Sequence, residues 1–266
     1  MSRNTLWKSL LTDLAAAVRL GHPAALEAAL DALARHPEIA DNRPLPARWY
    51  GDFLRPAGRI LADSRFPMEE LRVLRDSPLA GMRALGGAAL ALRYLKGDAA
   101  PRDLLPAAKD PRPDVRRLVG QTLAEGGAAA PERLLALGRA WLSGDSPRLR
   151  HTALLALRGA ASSRGEAVFP LLEALPPAPD AESGEALASL LTALAQSGHS
   201  EAVLDFVERR ALAEPPDLWL AGRVLSGKWA AARAARLTAL LDVLQARHGE
   251  SRYISNLRRA LRRHGG

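Results

Sequence analysis

An all-α fold assembled from stacked helical hairpins is predicted by three observations. Residues that favour strands are scarce, with three Ile, nine Val and six Thr in 266 residues and aromatics at 5%, whereas strands draw on β-branched and aromatic side chains. Ala, Leu, Arg and Glu, the good helix formers, dominate instead. A turn pattern also returns about every 35 residues, which is the mark of a repeat architecture.

The turns come in chain order at Asp41-Asn42-Arg43-Pro44, Asp76-Ser77-Pro78, Asp110-Pro111-Arg112-Pro113, Asp145-Ser146-Pro147 and Asp180-Ala181-Glu182-Ser183, with the Asp residues spaced 35, 34, 35 and 35 apart. Further units are expected near Asp217 and near Glu250-Ser251. An Asp or Ser beside Pro suits a helix start, because its oxygen accepts a free backbone N–H and Pro tolerates the first turn. After the clearest turns, Met82-Arg83-Ala84-Leu85, Val115-Arg116-Arg117-Leu118 and Leu149-Arg150-His151-Thr152 align, each followed by an Ala/Leu stretch ending in Gly. Leu149, Ala153, Ala156 and Leu157 fall at helical spacing and predict a core-facing stripe. Second helices lie between, such as 132–137 and 169–172, so each unit reads as two antiparallel helices. One such pair cannot bury its apolar face alone, and stacking the pairs gives a curved right-handed solenoid of about six to seven hairpins. Gly126, Gly127 and Pro176-Pro177-Ala178-Pro179 read as inter-helix turns. Residues 1–266 read as a single extended domain.

Zero Cys excludes disulfide scaffolds, Cys-ligated zinc, iron–sulfur clusters and thiol nucleophiles, and fits a cytoplasmic chain. No apolar stretch approaches the ~18 residues of a membrane span, and Lys8 and Asp13 interrupt the N-terminal apolar residues that a secretion signal would need. Phosphate-loop, zinc-protease, nucleophile-elbow and EF-hand motifs are absent. None of the six His has a His partner at i+3 or i+4, so neither a metal site nor a cofactor is expected. Of the five Trp, Trp141 closes a helix and reads as packing, while Trp49-Tyr50 and Trp219 are candidates for stacking on an exposed base.

The net charge of +8 is not spread evenly. Residues 222–266 carry ten Lys or Arg against Asp242 and Glu250, and residues 1–221 carry 27 of each sign. Arg258, Arg259, Arg262 and Arg263 share one helix face. Arg outnumbers Lys 33 to four, and its planar fork suits phosphate. A second concentration comprises Arg112, Arg116 and Arg117, then Arg148, Arg150, His151 and Arg158. Stacking would align Arg83, Arg116 and Arg150 as a ladder able to track a phosphodiester backbone. The same three residues could equally pair with turn carboxylates such as Asp76, Asp110, Asp114 and Asp145.

The Asp110-Pro-x-x-x-Val-Arg116 turn resembles HEAT repeats. The order Asp110 to Val119, Ala130-Pro131-Glu132, Arg139-Ala140-Trp141-Leu142 and Ser146 to His151 resembles the bacterial DNA alkylation-repair HEAT-like family, the AlkD-type alkylpurine DNA glycosylases and their relatives. That resemblance implies a C-shaped solenoid holding duplex, damaged or branched DNA in a concave basic cleft. The position of the family's catalytic Asp holds Arg116, which would repel a developing cationic sugar. The expectation is therefore DNA binding without that glycosylase chemistry, through Arg83, Arg112, Arg116, Arg117, Arg148, Arg150, His151, Arg258, Arg259 and Arg262. Two alternatives stay open: an active glycosylase using another acid such as Asp114 or Glu125, and a protein-interaction scaffold whose mark would be an exposed apolar patch.

Overall fold

A computed structural model describes residues 3–44, 50–176 and 180–264, and every regular element among them is helical. Trp49, named above as a stacking candidate, and Pro177-Ala178-Pro179 lie outside the described residues. No helix among the described residues is long and apolar enough to cross a membrane. Residues 1–137 and 138–266 form two compact units.

In the first unit the helices are α1 (Arg3–Leu20), α2 (Pro23–Ala34), α3 (Pro37–Ala40), α4 (Arg55–Leu61), α5 (Met68–Arg75), α6 (Ala80–Lys96), α7 (Pro101–Ala108) and α8 (Pro113–Gly127), followed by the start of α9 (Pro131–Leu142). Alternate helices pack side by side, α4 on α6 and α6 on α8, while α5 and α7 cover the α6 flanks. Helix α6 is the centre of this unit, and its residues 80–91 are small or apolar apart from Arg83. Close packing requires small side chains there: a Cβ on Gly87 would lie 2.7 Å from Ala107 Cβ and 2.8 Å from Val119 Cγ2. Gly97, with φ 98°, ends α6 in the left-handed conformation that favours glycine. Gly126 and Gly127 are the last residues of α8 rather than a turn, and Gly127 admits the Leu134 side chain.

The second unit holds the end of α9, then α10 (Pro147–Leu157), α11 (Ala161–Glu173), α12 (Ala181–Leu194), α13 (Ser200–Leu212), α14 (Leu218–Leu225), α15 (Lys228–Ala231), α16 (Ala234–His248) and α17 (Arg252–His264). Here too alternate helices pack together: α10 on α12, α12 on α14, and α14 on α17. The stripe Leu149, Ala153, Ala156 and Leu157 is buried, as is Trp141.

Helices begin beside the repeated turns because the turn side chains supply the missing acceptors. Asp180 accepts from Ser183 N at 3.0 Å, Asp217 from Leu220 N at 3.0 Å and Ser146 from Leu149 N at 3.4 Å. At the two earlier turns the acidic residue sits further back. Asp110 Oδ1 instead accepts from Arg112 N at 2.8 Å, and Asn42 Oδ1 accepts from the Ala80 N–H at 2.9 Å.

Candidate nucleic-acid interface

The expected Arg ladder is consumed by the fold. Arg83, in the first turn of α6, donates from Nε and Nη2 to Asp110 at 2.6 and 3.3 Å, and from Nη1 to the carbonyls of Ser77 and Pro78. Arg116 repeats the second half of that clasp one repeat later, donating from Nη1 to the Asp110 carbonyl at 2.6 Å and the Pro111 carbonyl at 3.1 Å. In both cases the acceptors lie six and five residues before the Arg, in the turn that precedes its helix. Arg116 is 2% exposed. Arg150 is also largely buried, its side chain 12% exposed and 3.9 Å from Asp180. Thus the helix Arg reaches the Asp of the following turn at Arg83–Asp110 and at Arg150–Asp180, and pairing within the fold takes precedence over a free ladder.

Two further sequence candidates are likewise engaged. Arg112 bonds Asp114 at 3.1 and 2.6 Å and the carbonyls of Asn42 and Arg43 at 2.7 and 2.9 Å, and His151 is buried. Arg112 is thus tied to the chain around it and His151 is withdrawn from the surface, so Arg112 meets an incoming phosphate only by giving up these bonds. Arg117 on α8 and Arg148 on α10 are exposed, but they stand in different units.

The terminal cluster is arranged differently. Helix α17 starts where Ser251 Oγ accepts from Ile254 N at 3.3 Å, and burial of Ile254 and Leu257 fixes its inner face. Arg252, Tyr253, Asn256, Arg259 and Arg263 then share the face that lines a cleft against α14, with Trp219, Gly222, Arg223 and Ser226 opposite. Their spacings of three and four residues are those of single helix faces. Gly222 lets α14 approach, since a Cβ there would lie 3.3 Å from Tyr253 Cβ. The cleft encloses about 390 Å³, within the range of roughly 300–1,000 Å³ typical of small-ligand sites.

Charge in this cleft is one-signed. Arg259 and Arg263 of the cleft are exposed, as is Arg262, which lies outside its lining, and no carboxylate pairs with the three among the described residues. Arg258 is set apart from them: it donates to Glu250 at 3.3 Å and to Gln245 Oε1 at 2.5 Å. The Ser255 hydroxyl, and then Arg258, hold the Glu250 carboxyl below its ordinary value. The Arg252 guanidinium lies 5.3 Å from the Tyr253 ring centroid, a cation–π distance. Arg223 pairs with Glu185 at 3.2 Å, with both side chains more than half exposed, and such a pair contributes little and exchanges readily.

A second cleft, also of about 390 Å³, runs from Arg158 past Glu185, Ser189, Thr192 and Gln196 to Arg223. Arg223 belongs to both clefts. The second unit therefore presents a polar groove across α12, α14 and α17, with Arg158, Arg223, Arg259 and Arg263 along it. Of this groove the sequence reading names Trp219, Arg158, Arg259 and the Arg263 of the terminal cluster, and misses Arg223, Arg252, Tyr253 and Asn256 as site residues. The 3.6-residue periodicity of 252–263 was the available signal for the last three; Arg223 required knowing that α14 packs on α17. Among the described residues no group of three or more His, Cys, Asp or Glu is placed to hold a metal ion. This arrangement can bind anions and stack planar groups. Comparison of the chain with family models, curated proteins and solved structures returns no match.

Proposed function

We propose that this chain is a HEAT-like helical-repeat protein that binds DNA through the groove of α12, α14 and α17, without AlkD-type glycosylase chemistry. The observation that carries the proposal is the concentration of Arg223, Arg252, Arg259 and Arg263 around one cleft together with Trp219 and Tyr253. Arg259 and Arg263 have no carboxylate partner among the described residues and Arg223 has only an exposed one; such guanidinium groups suit phosphate oxygens, which they meet with paired, charge-assisted hydrogen bonds. Phosphate contacts set affinity and orientation but read no sequence. The alternate packing of helices within each unit supports the repeat reading.

At the position aligned with the family's catalytic Asp, Arg116 is committed to turn carbonyls, which supports binding over base excision. A scaffold role draws no comparable support: the exposed large apolar residues among those described, Leu20, Val73 and Val243, stand on three different helices. The test is fluorescence anisotropy of a labelled DNA strand at several salt concentrations. Log affinity should fall linearly with log salt, and R259A/R262A/R263A should reduce the slope by about one per lost phosphate contact. Unchanged affinity and slope in that triple variant would refute the assignment of the groove.

A further inference from the structure

The Arg groups explain attraction to a nucleic-acid backbone, but they leave the remaining walls of the α14/α17 cleft without a role. Trp219 on α14 and Tyr253 on α17 line the same cleft from two helices, and Asn256 lies one turn along α17 from Tyr253. We infer that this cleft takes one unpaired nucleotide, its base against Trp219 and Tyr253, its edge hydrogen-bonded by Asn256, and its phosphate held by Arg259 and Arg263. This inference rests on the DNA-binding reading and narrows its substrate to single-stranded nucleic acid.

Three features support an unpaired base over duplex backbone alone. First, every base has a π-face that an aromatic wall can meet, whereas paired bases inside a duplex expose only their edges. Second, both rings are positioned before anything binds. A Cβ on Gly184 would lie 3.1 Å from Trp219 Cζ3, so α12 supports the indole from behind, and Arg252 stacks beside Tyr253. Such support lowers the ordering cost of binding. Third, Asn carries both an amide donor and a carbonyl acceptor, which matches the mixed donor and acceptor edges of nucleobases. A surface that met only phosphates would need neither the rings nor the amide.

The groove beyond the cleft gives the strand a path. Arg223 closes one side of the nucleotide cleft and opens the next, which continues past Ser189 and Thr192 to Arg158. A strand seated by one base at Trp219 can therefore run its following phosphates toward α12. Hydroxyl and guanidinium groups line that stretch together with the Glu185 carboxylate, which is paired with Arg223, and no aromatic ring is among its lining residues. One anchored base followed by backbone contacts describes sequence-tolerant binding.

The full-length chain is titrated with a labelled oligothymidylate of 15 nucleotides and with a blunt 15-base-pair duplex at equal salt, with thymidine monophosphate as a competitor. The inference expects the single strand to bind about tenfold or more tightly than the duplex. Y253A and N256A should each remove most of that preference. W219F, which keeps an aromatic wall, should retain part of the preference, and W219A should lose it. A W219A protein with altered circular dichroism is set aside, and Y253A and N256A then decide the question. Competition by the free nucleotide at concentrations far above those of the strand marks a strand site; competition at equal concentration would overturn the strand and assign the cleft to a free nucleotide. Equal affinity for strand and duplex, insensitive to Y253A and N256A but reduced by R259A/R262A/R263A, would overturn the base site and leave the phosphate reading intact. Loss of both bindings to no variant would overturn both.

Discussion

Removing the Asp110 carboxylate tests whether the helix-start Arg residues brace the fold. In D110A, Arg83 loses bonds of 2.6 and 3.3 Å, and the Arg112 N–H loses its acceptor at 2.8 Å. The Asp110 side chain is 3% exposed and that of Arg83 18%, so the guanidinium left behind is mostly shielded from water. It also keeps its bonds to the Ser77 and Pro78 carbonyls, which hold it in place with its charge uncompensated. Breaking a buried pair by removing one member costs about 3–5 kcal/mol. The residual exposure of Arg83 and its retained carbonyl partners place this case near the lower end, at about 3 kcal/mol. At roughly 2–4 °C per kcal/mol for a chain of this size, the melting temperature should fall by about 10 °C. Urea denaturation followed by circular dichroism gives the free energy, and R83A should lose a similar amount. The double variant should be less destabilised than the sum of the singles, with a coupling of about 2 kcal/mol, because both remove one interaction. A loss below about 1 kcal/mol in D110A, the range of exposed pairs, would refute the brace. So would an R83A protein of parental stability that no longer binds DNA.

Three other outcomes follow from separate parts of the structure. G87A should destabilise the first unit by about 1–3 kcal/mol, because its methyl would meet Ala107 and Val119 on two neighbouring helices; thermal denaturation measures this. R210M should cost about 1.5–3 kcal/mol, since Arg210 donates to the Leu172 and Leu175 carbonyls at the end of α11 at 3.2 and 2.7 Å; burial pushes the Arg210 pKa down, and amide exchange at 172–175 should accelerate in the variant. Bonds from Arg65 hold the Asp63 carboxyl well below the usual carboxylate range. Because the folded value is depressed, the small stability this pair contributes is present above the unfolded carboxylate value and is lost as pH falls below it. Carbon-detected NMR titration should find Asp63 still ionised where other aspartates have protonated, and R65A should return it to the ordinary range.

The sequence exposed what local chemistry controls. Helix starts at 113, 147, 181, 218 and 252 follow the turns that Asp110, Ser146, Asp180, Asp217 and Ser251 mark, because capping depends on residues two or three apart. The buried stripe of Leu149, Ala153, Ala156 and Leu157 was readable from periodicity alone. The fate of individual Arg side chains was not. Arg116 and Arg117 are adjacent, yet one is buried on turn carbonyls and the other exposed; a helix rotation of 100° separates them, and only the packed neighbours decide which side is wet. Arg83 finds its carboxylate 27 residues further on, beyond any local signal. The cleft between α14 and α17 was hidden for a related reason. Trp219 and Tyr253 line one cleft because α17 packs on α14 after the chain has passed through α15 and α16, so their pairing belongs to the fold and not to their spacing.

Glu185 gives the groove a built-in rival for its cargo. Its carboxylate sits 3.2 Å from Arg223 Nε, at the junction of the two clefts. A phosphate arriving at Arg223 has to displace that carboxylate, which stays tethered close by and can reclaim the guanidinium at any moment. Under the proposed function, that intramolecular contest would let a seated strand shift along its phosphates instead of staying fixed. E185Q should lengthen residence on the strand, trading mobility for grip.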